Sequence, residues 1–152
     1  MKQDSRLSRM LHVLLHMTHH DRPFTSEQIA KMLGTNAAVV RRTLAGLRRA
    51  GMVRSEKGHG GGWTIIRDLK DVTLLDVHRA LGSPRIFAMA NDSANPKCAV
   101  EAAVNVALDD AFMRAEALLT KRLSEVSLAD LAHDFGQRCR DGGWELEAPH
   151  GG

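Results

Sequence analysis

Two helix-start signals stand close together in this chain, and the single glycine stop between them limits the fold more than any other feature. Thr25-Ser26-Glu27-Gln28 offers a hydroxyl to cap the free amides of a helix, with Glu and Gln in its first turn. Ile29, Ala30, Met32 and Leu33 would then face a core, and Gly34 closes the helix because it tolerates the left-handed conformation. Thr35-Asn36 is the second capping signal. After it Val39, Val40, Leu44 and Leu47 mark one apolar stripe of a helix reaching Ala50, with Gly51 as its stop. Two short capped helices about a tight turn make a helix-turn-helix.

The flanking segments complete that unit. Between residues 5 and 19, Leu7, Met10, Leu11, Leu14, Leu15 and Met17 recur at helical intervals, which predicts a preceding helix. Met52-Val53-Arg54-Ser55 and Trp63-Thr64-Ile65-Ile66 are β-prone runs on either side of a tip that holds Gly58, Gly60, Gly61 and Gly62. Helix, turn, helix and hairpin in that order predict a winged helix. Its glycines would let the wing's backbone come close to a phosphate or a groove.

Beyond the wing, Thr73 caps a helix that runs to about Leu81, where Gly82-Ser83-Pro84 stops it. Residues 99–123 hold neither Gly nor Pro, and Val100, Val104, Ala107, Leu108, Ala111, Ala115, Leu118 and Leu119 keep a helical stripe. Such a helix would be nearly 40 Å long at about 1.5 Å per residue. A rod that outreaches so small a head is expected to bury its stripe against the same helix of a second chain. Ser127 caps a last short helix with Leu128, Leu131, Ala132 and Phe135. The expected fold is therefore mainly α, a winged helix-turn-helix with a two-stranded wing and a long C-terminal dimerisation helix. Residues 1–83 would form the DNA-binding domain, 84–98 a linker loop, 99–141 the dimerisation helix and C-terminal helix, and 142–152 a flexible tail.

Charge adds a direction. Residues 1–70 carry thirteen Lys/Arg against five Asp/Glu, and residues 71–152 carry eight against thirteen, although the whole chain is only +3. A basic half is the footprint of a surface for a polyanion. An apolar fraction of 43% with 26% charged residues describes a globular chain, and no apolar run approaches the roughly 18 residues a membrane span needs. With no secretory-type start and only two cysteines, Cys98 and Cys139, the expected compartment is the cytoplasm.

The candidate contacts to double-stranded DNA follow from the placement of the second helix. Its first turns would enter the major groove with Asn36, Ala37, Ala38, Val40, Arg41 and Arg42. A guanidinium bonds two acceptors on guanine at once or pairs with phosphate, so Arg41 and Arg42 lead this set. Arg48 and Arg49, further along, suit phosphates, and equally suit the negative end of a helix dipole. Ser26 joins the set from the start of the preceding helix, and Lys57, His59 and Gly60 from the wing tip.

Other chemistries find less support. His12, His16 and His20 are spaced by four, as in a zinc or copper site, but no carboxylate or cysteine stands at a matching spacing, and no metal is expected. A phosphate-cradling Gly-Lys-Ser/Thr loop, a zinc-protease His-Glu pair and a nucleophile signature are all missing, so the chain is not expected to be an enzyme. The alternatives are a metal-dependent regulator and a protein-interaction module that uses the fold without DNA.

Five segments together resemble the Rrf2 family of bacterial regulators: Leu11-His12-Val13-Leu14-Leu15, Thr25-Ser26-Glu27-Gln28-Ile29-Ala30, Thr35-Asn36 with Val39-Val40-Arg41-Arg42, Gly58-His59-Gly60-Gly61-Gly62-Trp63 and Thr73-Leu74-Leu75-Asp76-Val77. The resemblance covers residues 1 to about 125. It implies a winged-helix head, a dimerisation helix crossing to a partner and repression at a pseudo-palindromic operator. Members that sense iron-sulfur status or nitric oxide carry three cysteines in the loop before the long helix. This chain has Cys98 there, in Asn95-Pro96-Lys97-Cys98, with Ser8 and His12 as further donors on the first helix. A cluster-free regulator is the expectation, with Cys98 as the sensor candidate: a thiol beside the positive end of a helix favours the reactive thiolate.

Overall fold

A computed structural model of the chain describes residues 4–87 and 95–142. Part of the expected linker loop, at 88–94, and nearly all of the expected tail, at 143–152, lie outside the described residues. Helix α1 (Arg6–Thr18) turns Met10, Val13, Leu14 and Met17 inward at the spacing its sequence carries. Helix α2 (Ser26–Leu33) opens on a full capping box: the Thr25 hydroxyl accepts from the Gln28 backbone N–H, and the Gln28 side chain accepts from that of Thr25. Gly34 ends it with a left-handed φ of 62°. Helix α3 (Ala37–Arg49) follows, with Asn36 as its cap.

Strands β1 (Val53–Glu56) and β2 (Gly62–Ile65) pair antiparallel, with Val53 opposite Ile65 and Glu56 opposite Gly62. Phe24 pairs with Trp63 by two further backbone bonds, so the loop before α2 lies along β2. Gly62 is required there: a β-carbon would stand 2.5 Å from the Phe24 carbonyl oxygen, at a φ of 145° that side chains rarely adopt. A 3-10 turn (Leu69–Asp71) leads to helix α4 (Leu74–Ala80), capped by Thr73 and Asp76 as a second capping box.

Helix α5 (Ala99–Glu125) extends for 27 residues, about 40 Å, and no residue in it is buried. Helix α6 (Leu128–Gly142) then returns to the head. The sequence reading assigns residues 99–141 to the dimerisation helix and C-terminal helix, and in the structure the start of α6 packs against the head. Leu128 is fully buried in the same core as Val13, Leu14 and Val72. Backbone bonds from Leu74 to Val126 and from Leu128 to Val72 fasten the start of α6 to the start of α4. The physical reason is burial: Val72 and Leu128 flank the Thr73–Ser127 β-bridge, and both side chains enter the one core of the head.

Candidate nucleic-acid interface

The seating of α3 decides which of its side chains can reach a ligand. Val40, Leu44 and Leu47 all point into the core and hold the helix by one face. Ala38, Arg41, Arg42, Arg48 and Arg49 are consequently exposed, and Ala37 is half-buried at the first turn. Asn36 spends its side-chain oxygen on the Val39 backbone N–H at 3.0 Å, so it positions the helix start.

Two positions expected at the interface face inward instead. Val40 is 1% exposed, because it lies on the 40/44/47 stripe that packs the helix, and it offers no surface to a groove. Ser26 is buried as well, with its Oγ accepting from the Trp63 indole Nε1 at 3.0 Å. Its side chain serves the wing's attachment.

Between α2, α3 and the wing lies a cleft of about 580 Å³, lined by Thr25, Glu27, Arg41, Arg48, Lys57 and Trp63 among others. Arg41 and Arg48 of α3 and Lys57 of the wing thus share one concavity. Glu27, which sequence reading passed over as a helix-start residue, faces Arg41 at 3.7 Å in an exposed pair worth about 1 kcal/mol or less. No sequence signal joins residues fourteen apart on two different helices. Lys57, His59 and Gly60 stand exposed at the wing tip, Gly60 at a φ of 78°. Arg9 on α1 is exposed, and its guanidinium donates to the Leu33 carbonyl at the end of α2.

Metal and cofactor donors are dispersed. His12 and His16 approach with their Nε2 atoms 3.1 Å apart, while His20, past the end of α1, stacks edge-on against Phe24. The three-histidine face read from the spacing therefore breaks after His16, since α1 stops at Thr18. Cys98 caps α5, its exposed Sγ accepting from the Glu101 backbone N–H at 3.4 Å, and Cys139 lies on α6. Among the described residues no three His, Cys, Asp or Glu side chains stand together as a metal site. A donor set with one thiol before α5 does not fit a cysteine-ligated iron-sulfur cluster within the chain.

The carboxylates with lowered pKa lie at or next to helix starts. Hydrogen bonds from the Arg6 side chain and backbone, at the start of α1, hold Asp4 down at about 2. The Ser127 backbone N–H, and after it the Ser127 hydroxyl, lower Asp130 at the start of α6. No helix among the described residues is long and apolar enough to cross a membrane.

With this geometry in place, comparison with known proteins gives a consistent result. The Rrf2 family model, described as an iron-dependent transcriptional regulator, matches residues 3–134. YwnA of Bacillus subtilis (strain 168), named as an HTH-type transcriptional regulator, is 32% identical over 128 residues, covering 84% of this chain and 95% of that protein. Among solved structures, a transcriptional regulator from Lactobacillus plantarum superposes with a TM-score of 0.72 at 23% identity, covering 89% of this chain and 92% of the other. IscR of T. potens superposes with a TM-score of 0.65 at 18% identity, covering 97% and 94%. The two structures share the fold, a winged helix followed by a long helix.

Proposed function

Because this chain belongs to the Rrf2 family of transcriptional regulators, we propose that it acts as a homodimeric repressor, with α3 in the major groove of a pseudo-palindromic operator. The observation that carries this reading is the exposed row Arg41, Arg42, Arg48 and Arg49 on a helix whose opposite face is locked into the core. Arg41 and Arg42, in the first half of α3, read base edges or adjoining phosphates, and Arg48 lies where the backbone passes. Lys57, His59 and Gly60 bring the wing to the neighbouring minor groove or its phosphates. The ligand places the protein where DNA is, in the cytoplasm of a bacterial cell.

The dimer is supported by α5. Val100, Val104, Leu108, Leu118 and Leu119 lie along one exposed stripe with Ala111 and Ala115, and Val100 is 74% exposed. A stripe of this length left in water is unfavourable, and a second copy of the same helix is the partner whose apolar face matches it. Two heads joined in this way meet successive major grooves roughly 34 Å apart. Replacing Leu108 and Ala111 together with Asp buries unpaired charge in the seam and is expected to give monomers on sedimentation.

The regulator is read as cluster-free, with Cys98 as a redox-responsive cap on α5. Purified without oxygen, it is expected to be colourless, and a brown, iron-replete protein would overturn this part. The decisive experiment for the whole reading selects bound DNA from a random pool and then titrates salt. A single symmetric consensus with affinity falling steeply with salt supports the reading. No enrichment, or binding that ignores salt, would favour a protein-interaction module instead.

A further inference from the structure

A second concavity flanks α3 on the side away from the wing. It encloses about 720 Å³ between α3, the segment after β2 and the end of α4. Its floor is formed by close helix contact, for a β-carbon on Gly46 of α3 would overlap the carbonyl of Ala80. Five arginines line it, Arg6, Arg42, Arg49, Arg67 and Arg79, against one carboxylate, Asp76. Asp76 already accepts from the Thr73 backbone N–H at 2.9 Å, and Arg6 is held by Asp4 at 2.6 Å. Among the described residues none of Arg42, Arg49, Arg67 and Arg79 has an ion-pair partner.

Four guanidinium groups without an ion-pair partner face one cleft that holds a single carboxylate, and the arrangement is stabilised once an anion enters. Their fork geometry matches the paired oxygens of a phosphate. The position of the cleft identifies which phosphate. A helix with its side chains is about 10–12 Å across and the major groove about 12 Å wide, so a helix seated there has a sugar-phosphate backbone along each flank. The wing-side cleft with Arg41, Arg48 and Lys57 borders one flank of α3, and this cleft borders the other.

We propose that the cleft between α3 and the end of α4 is a second phosphate seat, in which Arg49, Arg67 and Arg79 hold the DNA strand opposite the one bordered by the wing. The proposal rests on the DNA-binding reading above and adds, beside Arg49 of α3, two contacts that neither the recognition helix nor the wing supplies. It makes Arg67 and Arg79 sequence-independent binding residues, although they lie outside both.

The test uses the full-length protein with Arg67→Ala and Arg79→Ala combined. Both side chains are exposed, so the core is untouched, and an unchanged circular dichroism spectrum and melting temperature verify this. Affinity for the selected operator and for unrelated DNA is expected to fall by a similar factor, about tenfold or more, and the salt slope to become shallower by about 2. Ethylation of phosphates on the strand away from the wing should interfere with binding by the parent and not by the variant. Unchanged affinity and slope, beside an Arg41→Ala/Arg42→Ala variant that loses operator binding, would overturn the seat and leave the DNA-binding reading standing. A loss confined to the operator sequence would assign base reading and also overturn it. Pyrophosphate binding that the variant loses while its DNA affinity stays unchanged would assign the cleft to a free anion instead.

Discussion

The indole Nε1 of Trp63 donates to the Oγ of Ser26 at 3.0 Å, a buried bond that joins the wing to the first turn of α2. Paired backbone bonds between Trp63 and Phe24 reinforce it, so wing and helix-turn-helix form one body before any ligand arrives. The cations of α3 and those of the wing tip therefore hold a fixed mutual placement, as preorganised recognition requires. Ser26→Ala leaves the indole N–H without a partner. It is expected to cost about 1–3 kcal/mol, because a buried orphan donor costs more than a lost bond is worth. Thermal unfolding measures this, and Ser26→Ala combined with Trp63→Phe should cost less than the two changes summed, since both partners then disappear.

Glu27 lies against Arg41 in the wing-side cleft, a carboxylate on the surface assigned to a polyanion. Glu27→Gln frees the guanidinium and removes a repulsive charge. Operator affinity is expected to rise up to about fivefold, the equivalent of the 1 kcal/mol upper range for such pairs, with stability nearly unchanged. Equal affinities for parent and variant would show that Arg41 is not at the DNA contact.

Acid should weaken the cap that starts α6. Asp130 accepts from the Ser127 backbone N–H at 2.9 Å, and this bond, followed by that of the Ser127 hydroxyl, lowers its folded-state pKa. A lowered carboxylate stabilises the fold fully above the ordinary value near 4, and that contribution disappears as pH falls through the lowered value. Asp130→Asn should therefore reduce stability at neutral pH and flatten the acid limb of the stability curve. Denaturant unfolding of both proteins between about pH 2 and 7 measures the difference.

The local signals in this sequence were strong where the chain's own neighbours decide the structure. Thr25 and Gln28, Gly34, Asn36 and the pair Thr73 and Asp76 act within four residues of one another, and each cap is made as its spacing implies. Val40 illustrates the opposite case. Its neighbourhood marked it both as a first-turn recognition residue and as a stripe residue, and packing of α3 against the core decided for the stripe. Ser26 likewise reads as a helix-start hydroxyl until Trp63, thirty-seven residues away, occupies it. The cationic cleft was legible only in part, as an excess of charge in the first half of the chain, and Arg79 falls in the acidic second half. Arg49, Arg67 and Arg79 converge because Gly46 lets α3 meet the end of α4, which no pattern of spacing reveals.

The central claim is that the outward arginines of α3 read the operator, and the affinity of the Arg41→Ala/Arg42→Ala protein for DNA selected by the parent tests it most directly. Both side chains are exposed, so the fold should survive, as verified by the same thermal unfolding curve. Specific binding is expected to vanish into the residual affinity for unrelated DNA, a loss of several kcal/mol if each arginine contributes about 1–3 kcal/mol of base discrimination. A double variant that binds the operator as tightly and as selectively as the parent would contradict the assignment of α3 as the recognition helix.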